Sequence, residues 1–353
     1  MLELADGLFW VSIHDELTDV ALRLANAGEA LAADGFGICL RAVSARAGST
    51  RLCCTASARI SRQLRRLGGS PTGVTTATVA KRPVRRRLRR DDASVKTRRL
   101  DEIRGALEHC YDAFEVLCTD LSDDEWQVQS LCPDWSMRGV VDHVTSIEAV
   151  MAGWLPDDDK TPPPFERADE FLADETPYVD KVHGVYDRRR RDLAALTDED
   201  LARPSWMPVG PGTYGRFLAI RVFDFWVHER DITTPLGRDT DDGGVAAEIA
   251  LEQVENSIGY IVGKRVGLPD GKSLTFDLTG PLARRLHVAV DGRAARVDHV
   301  ERPDVTVTAD STTFIQLACG RIDPQEQIDS GAISWTGDDE LGDRAARNLR
   351  FTM

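Results

Sequence analysis

Arg221-Val222-Phe223-Asp224-Phe225-Trp226-Val227-His228-Glu229-Arg230-Asp231-Ile232 is the stretch on which the fold turns. Val222, Phe223, Phe225, Trp226 and Val227 suit a mostly buried helix. Asp224 and His228 lie four apart, so a helix places them on one face, one turn from each other. A carboxylate and an imidazole in a bundle interior are costly to bury unpaired. They need each other, a third polar group, or a metal. His143, on another expected helix from Met137 to Trp154, offers the third group. One ligand from one helix and an i, i+4 pair from another is a way bundle cores hold metals. The competing reading is a buried Asp–His hydrogen bond that only ties helices together, since single D-x-x-x-H pairs are common.

Other helices follow from period and punctuation. Leu100, Ile103, Leu107, Tyr111, Phe114 and Leu117 recur at three and four and predict an amphipathic helix. After an irregular stretch from Trp126 to Trp135, Ser136 is placed to cap the helix Met137 to Trp154. Val140, Val141, Val144, Ile147 and Val150 form its core face, flanked by His143 and Glu148. Pro162-Pro163-Pro164 is a loop. Phe165 to Leu196 reads as a third long helix, broken or bent near Pro177, with a charged face from Arg188 to Arg191. A long connection, Asp198 to Gly215, precedes a fourth helix from about Arg216 to Thr233, which Leu236-Gly237 terminates. Four long helices with inward polar groups predict a four-helix bundle over residues 98–240.

Beyond Asp241 the period changes. Val245 to Val262 reads as a helix, and Leu274–Leu278, Leu286–Val290, Ala294–Val297, Val305–Thr308 and Ile333–Gly337 as strands. Ser311 to Cys319 and Asp339 to Phe351 read as helices. Residues 241–353 are thus expected to form a small α+β domain, and the chain as a whole an α+β multidomain protein.

The 353-residue chain carries a net charge of −14 that hides an asymmetry. Residues 1–99 hold 18 Lys+Arg and 9 Asp+Glu, whereas residues 100–353 hold 26 and 49. So acidic a globular part argues against nucleic-acid binding by the folded region. Residues 1–97 give only a weak helical signal up to residue 60. From Ala42 to Ala93 they are rich in Arg, Ser, Thr, Gly and Ala and end in the basic run Lys81 to Arg90. Such a segment buries too little apolar surface to offset ordering entropy and is expected to be largely disordered. It reads as a solvated linker in preference to a nucleic-acid or membrane-surface tail; a native start near Val95, with the extension not native, is a third reading. No apolar run approaches the roughly 20 residues of a membrane span. Met1 to Trp10 is acidic and lacks the basic start of a secretory signal, so the expected location is cytoplasmic. Seven cysteines without regular spacing do not form a disulfide framework.

Two motifs and the C-terminus carry a resemblance. Ser130-Leu131-Cys132-Pro133-Asp134-Trp135-Ser136-Met137-Arg138-Gly139-Val140-Val141-Asp142-His143-Val144 resembles the CPGW-[ST]-V-R-D-V-V-x-H entry to the second bundle helix of the mycothiol-dependent maleylpyruvate isomerase family, within the DinB-like superfamily. Arg221 to Gly237 is similar to the same family's R-x-x-D/E-x-W-V-H-x-x-D-I-R-x-x-L-G. Gly320-Arg321, Gly337-Asp338 and Asn348 to Met353 are similar to its sterol-carrier-like C-terminal domain. The resemblance covers about residues 98–353 and implies a DinB-like metal-binding bundle followed by a sterol-carrier-like domain. It implies a divalent metal, zinc first, on His143, Asp224 and His228, with mycothiol as the thiol co-substrate. The isomerase is expected to carry Glu where this chain has Asp224, one methylene shorter.

Two histidines and one carboxylate leave coordination positions open, as in catalytic zinc sites. A cation there favours the thiolate of an incoming thiol. By the resemblance, reversible addition of that thiolate to a cis double bond allows rotation and isomerisation, and retention of the thiol gives S-transfer. Activated water would instead give a hydrolase, and a non-catalytic binding protein is a further alternative. Arg138 and Arg221 are candidates for binding the carboxylates of a thiol cofactor or substrate, with surface salt bridges as the equal reading. Glu229 or Asp231 could support the ligands. Cys132 could approach the site but reads first as a packing residue. His183 reads as a surface or packing histidine. Trp135, Trp154, Trp206 and Trp226 could wall a pocket or pack the core. The expected partners are a small electrophile and a thiol, with no membrane, in a monomer or homodimer.

Overall fold

A computed structural model describes residues 98–352. The weak helical signal and the basic run of the extension lie outside the described residues. Helix α1 (Leu100–Asp120) opens with the Glu102 carboxylate accepting the Arg99 backbone N–H at 3.1 Å, which satisfies a donor the helix leaves free. Ser136 caps α2 (Met137–Met151) as its position predicts, accepting from Gly139 N at 3.3 Å. The third helical span is two helices, α3 (Glu166–Ala173) and α4 (Tyr178–Ala195). Pro177 disfavours helical geometry at Thr176, and Asp174 turns the chain by accepting from Thr176 N at 2.9 Å. The connection after α4 is more ordered than its composition predicts. It holds a single turn, α5 (Asp198–Leu201), and a two-residue ladder between β1 (Pro204–Ser205) and β2 (Gly212–Thr213).

Thr213 then caps α6 (Tyr214–Thr233). The α6 helix ends before Gly237, whose φ of 63° suits glycine. Helices α1 and α2 each pack against both α4 and α6, so the four long helices enclose one core. At its centre Tyr111 stacks on Tyr186 at 4.8 Å, while Phe225 meets Tyr111 and Phe114 edge-on at 5.4 and 5.1 Å. Phe225→Ala is expected to cost about 3–5 kcal/mol in denaturant unfolding, because a fully buried ring leaves a cavity three helices line. A loss below about 1 kcal/mol would show that the contact is not what binds these helices.

A polar knot crosses the same core. Glu148 on α2 is 0% exposed. Its Oε2 accepts from Tyr111 Oη and from Arg189 Nε, each at 2.7 Å, and its Oε1 accepts from Arg221 Nε at 2.9 Å. All four long helices contribute. Arg189, expected on a charged outer face, is turned inward, because its guanidinium neutralises Glu148.

The C-terminal part starts with α7 (Gly244–Tyr260), which runs into a wide π turn, Ile261–Val266, and stops at Gly267 (φ 65°). Helix α7 lies against α6 and also against the sheet. The sheet comprises β3 (Ser273–Thr279), β4 (Arg284–Asp291), β5 (Arg293–Val297), β6 (Val305–Asp310) and β7 (Ile333–Gly337), in the order β5-β4-β3-β6-β7. Only β3 and β6 pair in parallel. Leu274, Phe276, Leu286, Val288, Val305 and Val307 alternate onto one buried face, where Phe276 meets Phe314 of α8 (Ser311–Ala318) at 5.0 Å. A short helix, α9 (Pro324–Asp329), was not expected; Asp323 caps it and Pro324 opens it. The last helix, α10 (Asp339–Arg347), stops four residues short of the expected end. There the chain turns back so that Phe351 N donates to Ala318 O at 3.0 Å.

Candidate metal centre

Helix α2 supplies His143, and α6 supplies Asp224 and His228 one turn apart. The structure brings all three together in the core, with one donor atom from each within 4.8 Å of the others. His143 Nε2 lies 3.5 Å from Asp224 Oδ2, and His228 Nε2 lies 3.4 Å from Asp224 Oδ1. Both distances are at the limit of a hydrogen bond. His143 Nε2 is buried and has no hydrogen-bond partner. An orphaned imidazole nitrogen facing a carboxylate and a second imidazole is the donor set a divalent cation satisfies, so these residues fit a metal.

The surrounding charges act on all three side chains. Burial alone would raise the Asp224 carboxyl, but Arg221 and both imidazoles hold it well below the ordinary carboxylate range. Burial pushes His143 below the ordinary imidazole value, against the pull of Asp224. Burial also opposes the charged form of His228, yet Asp224, Asp231 and Cys132 raise it well above that value. A cation on His228 Nε2 would take the place of that proton.

Behind His228 stands Asp231. Its Oδ2 is 2.8 Å from His228 Nδ1, so a proton on Nδ1 leaves the Nε2 lone pair facing Asp224. Cys132 does more than pack: its thiol donates to Asp231 Oδ2 at 3.1 Å, with the sulfur 3.9 Å from His228 Nδ1. Glu229, the other candidate for this support, turns away to accept from Arg230 Nη1.

Arg221 does bind carboxylates, but those of Glu148 and Asp224, and its remaining arm donates to Val144 O at 3.1 Å. Each of its three nitrogens is engaged inside the protein. Arg138 points elsewhere, over the Tyr178 ring and toward Asp142. His183 is at the surface, 3.5 Å from Glu115. Of the tryptophans, Trp135 is the one at the site. Its ring lies 4.7 Å from His143 and 5.8 Å from His228 and is partly exposed, so it forms the outer wall. Gly139 lets it close in, since a Cβ there would lie 3.2 Å from Trp135 Cβ. Trp154 and Trp206 pack on Phe217, and Trp226 under Arg230. Glu148, Arg189 and Tyr111 were missed as a supporting network. Only Glu148, an acid flanking a valine face, gave a hint.

Fold and site together define a helical bundle with a buried His-Asp-His centre, followed by a small mixed sheet domain. Residues 107–233 match the family model of the mycothiol maleylpyruvate isomerase N-terminal domain, and residues 248–344 that of the MDMPI C-terminal domain. The chain belongs to this family. Among solved structures it is similar to the mycothiol-dependent maleylpyruvate isomerase, at 17% identity over 67% of this chain and 92% of that one, with a TM-score of 0.45. It is also similar to sterol carrier protein 2 from Yarrowia lipolytica (apo form), at 15% identity over 31% of this chain and 88% of that one, with a TM-score of 0.22. No curated protein matches the chain. Among the described residues, no helix is long and apolar enough to cross a membrane.

Proposed function

We propose that this chain is a metal-dependent enzyme that uses a low-molecular-weight thiol, mycothiol, to isomerise or S-conjugate a small electrophile. The metal is divalent, zinc first, and His143, Asp224 and His228 hold it. The observation that carries this reading is the partnerless His143 Nε2, buried beside Asp224 and His228. A divalent cation at that point favours ionisation of a thiol brought to it.

The residues of the chain do the rest. Arg221 keeps Asp224 ionised and fixes one of its oxygens, with Glu148, itself held by Arg189, holding Arg221 in turn. Asp231 fixes the tautomer and rotation of His228. Trp135 limits water at the outer wall, which strengthens every charge interaction inside. One carboxylate among the three donors leaves a net positive charge once a divalent ion is bound, which suits an anionic sulfur better than a two-carboxylate set would.

The test is thiol dependence. Metal-loaded protein is incubated with a panel of electrophiles, including cis-enone acids, with and without mycothiol. Turnover is expected only with the thiol, yielding either the trans isomer or the thioether. Thiol-independent hydrolysis would overturn the thiol reading and favour the hydrolase.

A further inference from the structure

The way into the metal centre is walled by hydrocarbon. His143 and His228 are 3% and 4% exposed and Asp224 is 9%, so the centre opens on the Asp224 side. Contacts between α2 and α6 run in opposite directions: His143 faces Asp224, and further along α2 Glu148 meets Arg221. Ile147 on α2 and Ile220 on α6 each stand one turn from a ligand, in the direction of Glu148 and Arg221. Beside Asp224 is Phe223, whose ring stacks on that of Phe351, from the segment after α10, at 6.5 Å. Trp135 stands on the far side of the two histidines. These five side chains pack on the core yet stay partly exposed, which makes them the mouth of the site. The arginines around the centre are already neutralised. Arg221 is held by Glu148 and Asp224, and Arg138 by Asp142. Arg321 sets its Nε 2.9 and 3.1 Å from the two oxygens of Asp231, and its Nη1 donates to Cys319 O at 3.1 Å. Arg216 has no acceptor for its buried Nε, but it stands two turns from Asp224, about 12 Å along the helix.

We propose that the electrophile taken by this site is uncharged and apolar around its reacting carbon, an α,β-unsaturated ketone or aldehyde with a hydrocarbon substituent, rather than a di-acid. This rests on the thiol reading of the bundle site. A substrate carboxylate in the mouth would give up hydration and find its candidate counter-charges already paired. Asp224 and a thiolate together balance a divalent ion, which leaves no charge there for a carboxylate either. Each methylene laid against Ile147, Ile220 and the Phe223–Phe351 pair, by contrast, leaves water at no polar cost. Conjugation needs no further reactant. The sulfur lone pair forms the C–S bond at the β-carbon, the C=C pair shifts toward the carbonyl oxygen, and the thiol proton ends on the α-carbon, giving a saturated thioether.

The experiment titrates unreactive saturated ketones into the full chain and follows tryptophan fluorescence, with zinc and mycothiol present and with neither. One series is 2-alkanones of increasing length; the other carries a carboxylate at the far end of the same chains. Affinity in the first series is expected to rise about threefold per methylene until the mouth is filled. Each carboxylate should bind at least about tenfold more weakly than its uncharged partner. Trp135→Phe should lose the signal. Phe351→Ala should flatten the dependence on chain length, and Phe351→Lys should narrow the gap between the two series. Val209→Ala removes an apolar side chain that is 58% exposed on the connection before α6, and it should bind as wild type does. Carboxylates that bind as tightly as the ketones, an affinity independent of chain length, or a signal retained in Trp135→Phe would each overturn the inference. So would an equal loss in Val209→Ala and Phe351→Ala, since binding would then not be local to the mouth. Turnover of the matching enones separates the two readings. Thiol-dependent turnover that is fastest on di-acids overturns the apolar preference and keeps the thiol chemistry. Length-dependent ketone binding without thiol-dependent turnover supports the apolar preference and overturns the thiol chemistry.

Discussion

Wild-type protein is expected to purify with about one equivalent of divalent metal, and His143→Ala and His228→Ala with less than about a tenth of that, because two remaining donors seldom retain an ion against buffer. The fold should survive in both variants. His143 Nε2 makes no hydrogen bond in the bundle, so its loss costs packing rather than a partner. His228 leaves Asp224 still paired with Arg221. Elemental analysis beside circular dichroism reads both outcomes. Folded wild type that stays metal-free after incubation with zinc would reduce the three residues to a structural cluster and return the search for function to the C-terminal domain.

Glu148→Ala is expected to be as damaging as the loss of a core ring, at about 3–5 kcal/mol, since it strands the Arg189 guanidinium without a buried counter-charge. Denaturant unfolding measures it. Glu148→Gln adds a pH signature. Burial pushes the Glu148 carboxyl up, but Arg189 and Arg221 outweigh it and hold its pKa below the ordinary value. A group depressed in the folded state contributes stability above its unfolded pKa, which is about 4.3 for Glu. That contribution is lost as pH falls through the lower folded value. The advantage of wild type over Glu148→Gln should therefore be full above about pH 5 and shrink below about pH 4. A stability gap unchanged across that range would mean the charge of Glu148 contributes nothing.

Both effects depend on one arrangement. The polar knot at Glu148 and the metal centre share Arg221, which donates to Glu148 Oε1 and to Asp224 Oδ2. The core of the bundle thus sets the rotamer of a candidate ligand. The Asp224 carboxylate is held from behind by Arg221.

Local physics was legible in the residues alone. The apolar period of α1, the cap at Ser136, the stop at Gly237 and the alternation of β3 to β7 are near-neighbour effects, and each lies in a few consecutive side chains. The i, i+4 relation of Asp224 and His228 is of the same kind. Residues whose partners are remote were not legible. Nothing near Arg189 in the sequence distinguishes it from Arg188 or Arg190, yet it alone of the three is fully buried, because Glu148 on another helix requires a counter-charge. Arg221 looked like a ligand-binding arginine and is spent within the core. Arg321 stands 90 residues from Asp231, and no period or motif connects them. The sequence by itself determined which helices and strands form and which side chains share a face. The tertiary structure decided which faces meet, because a buried charge selects its partner by proximity after packing, not by distance along the chain.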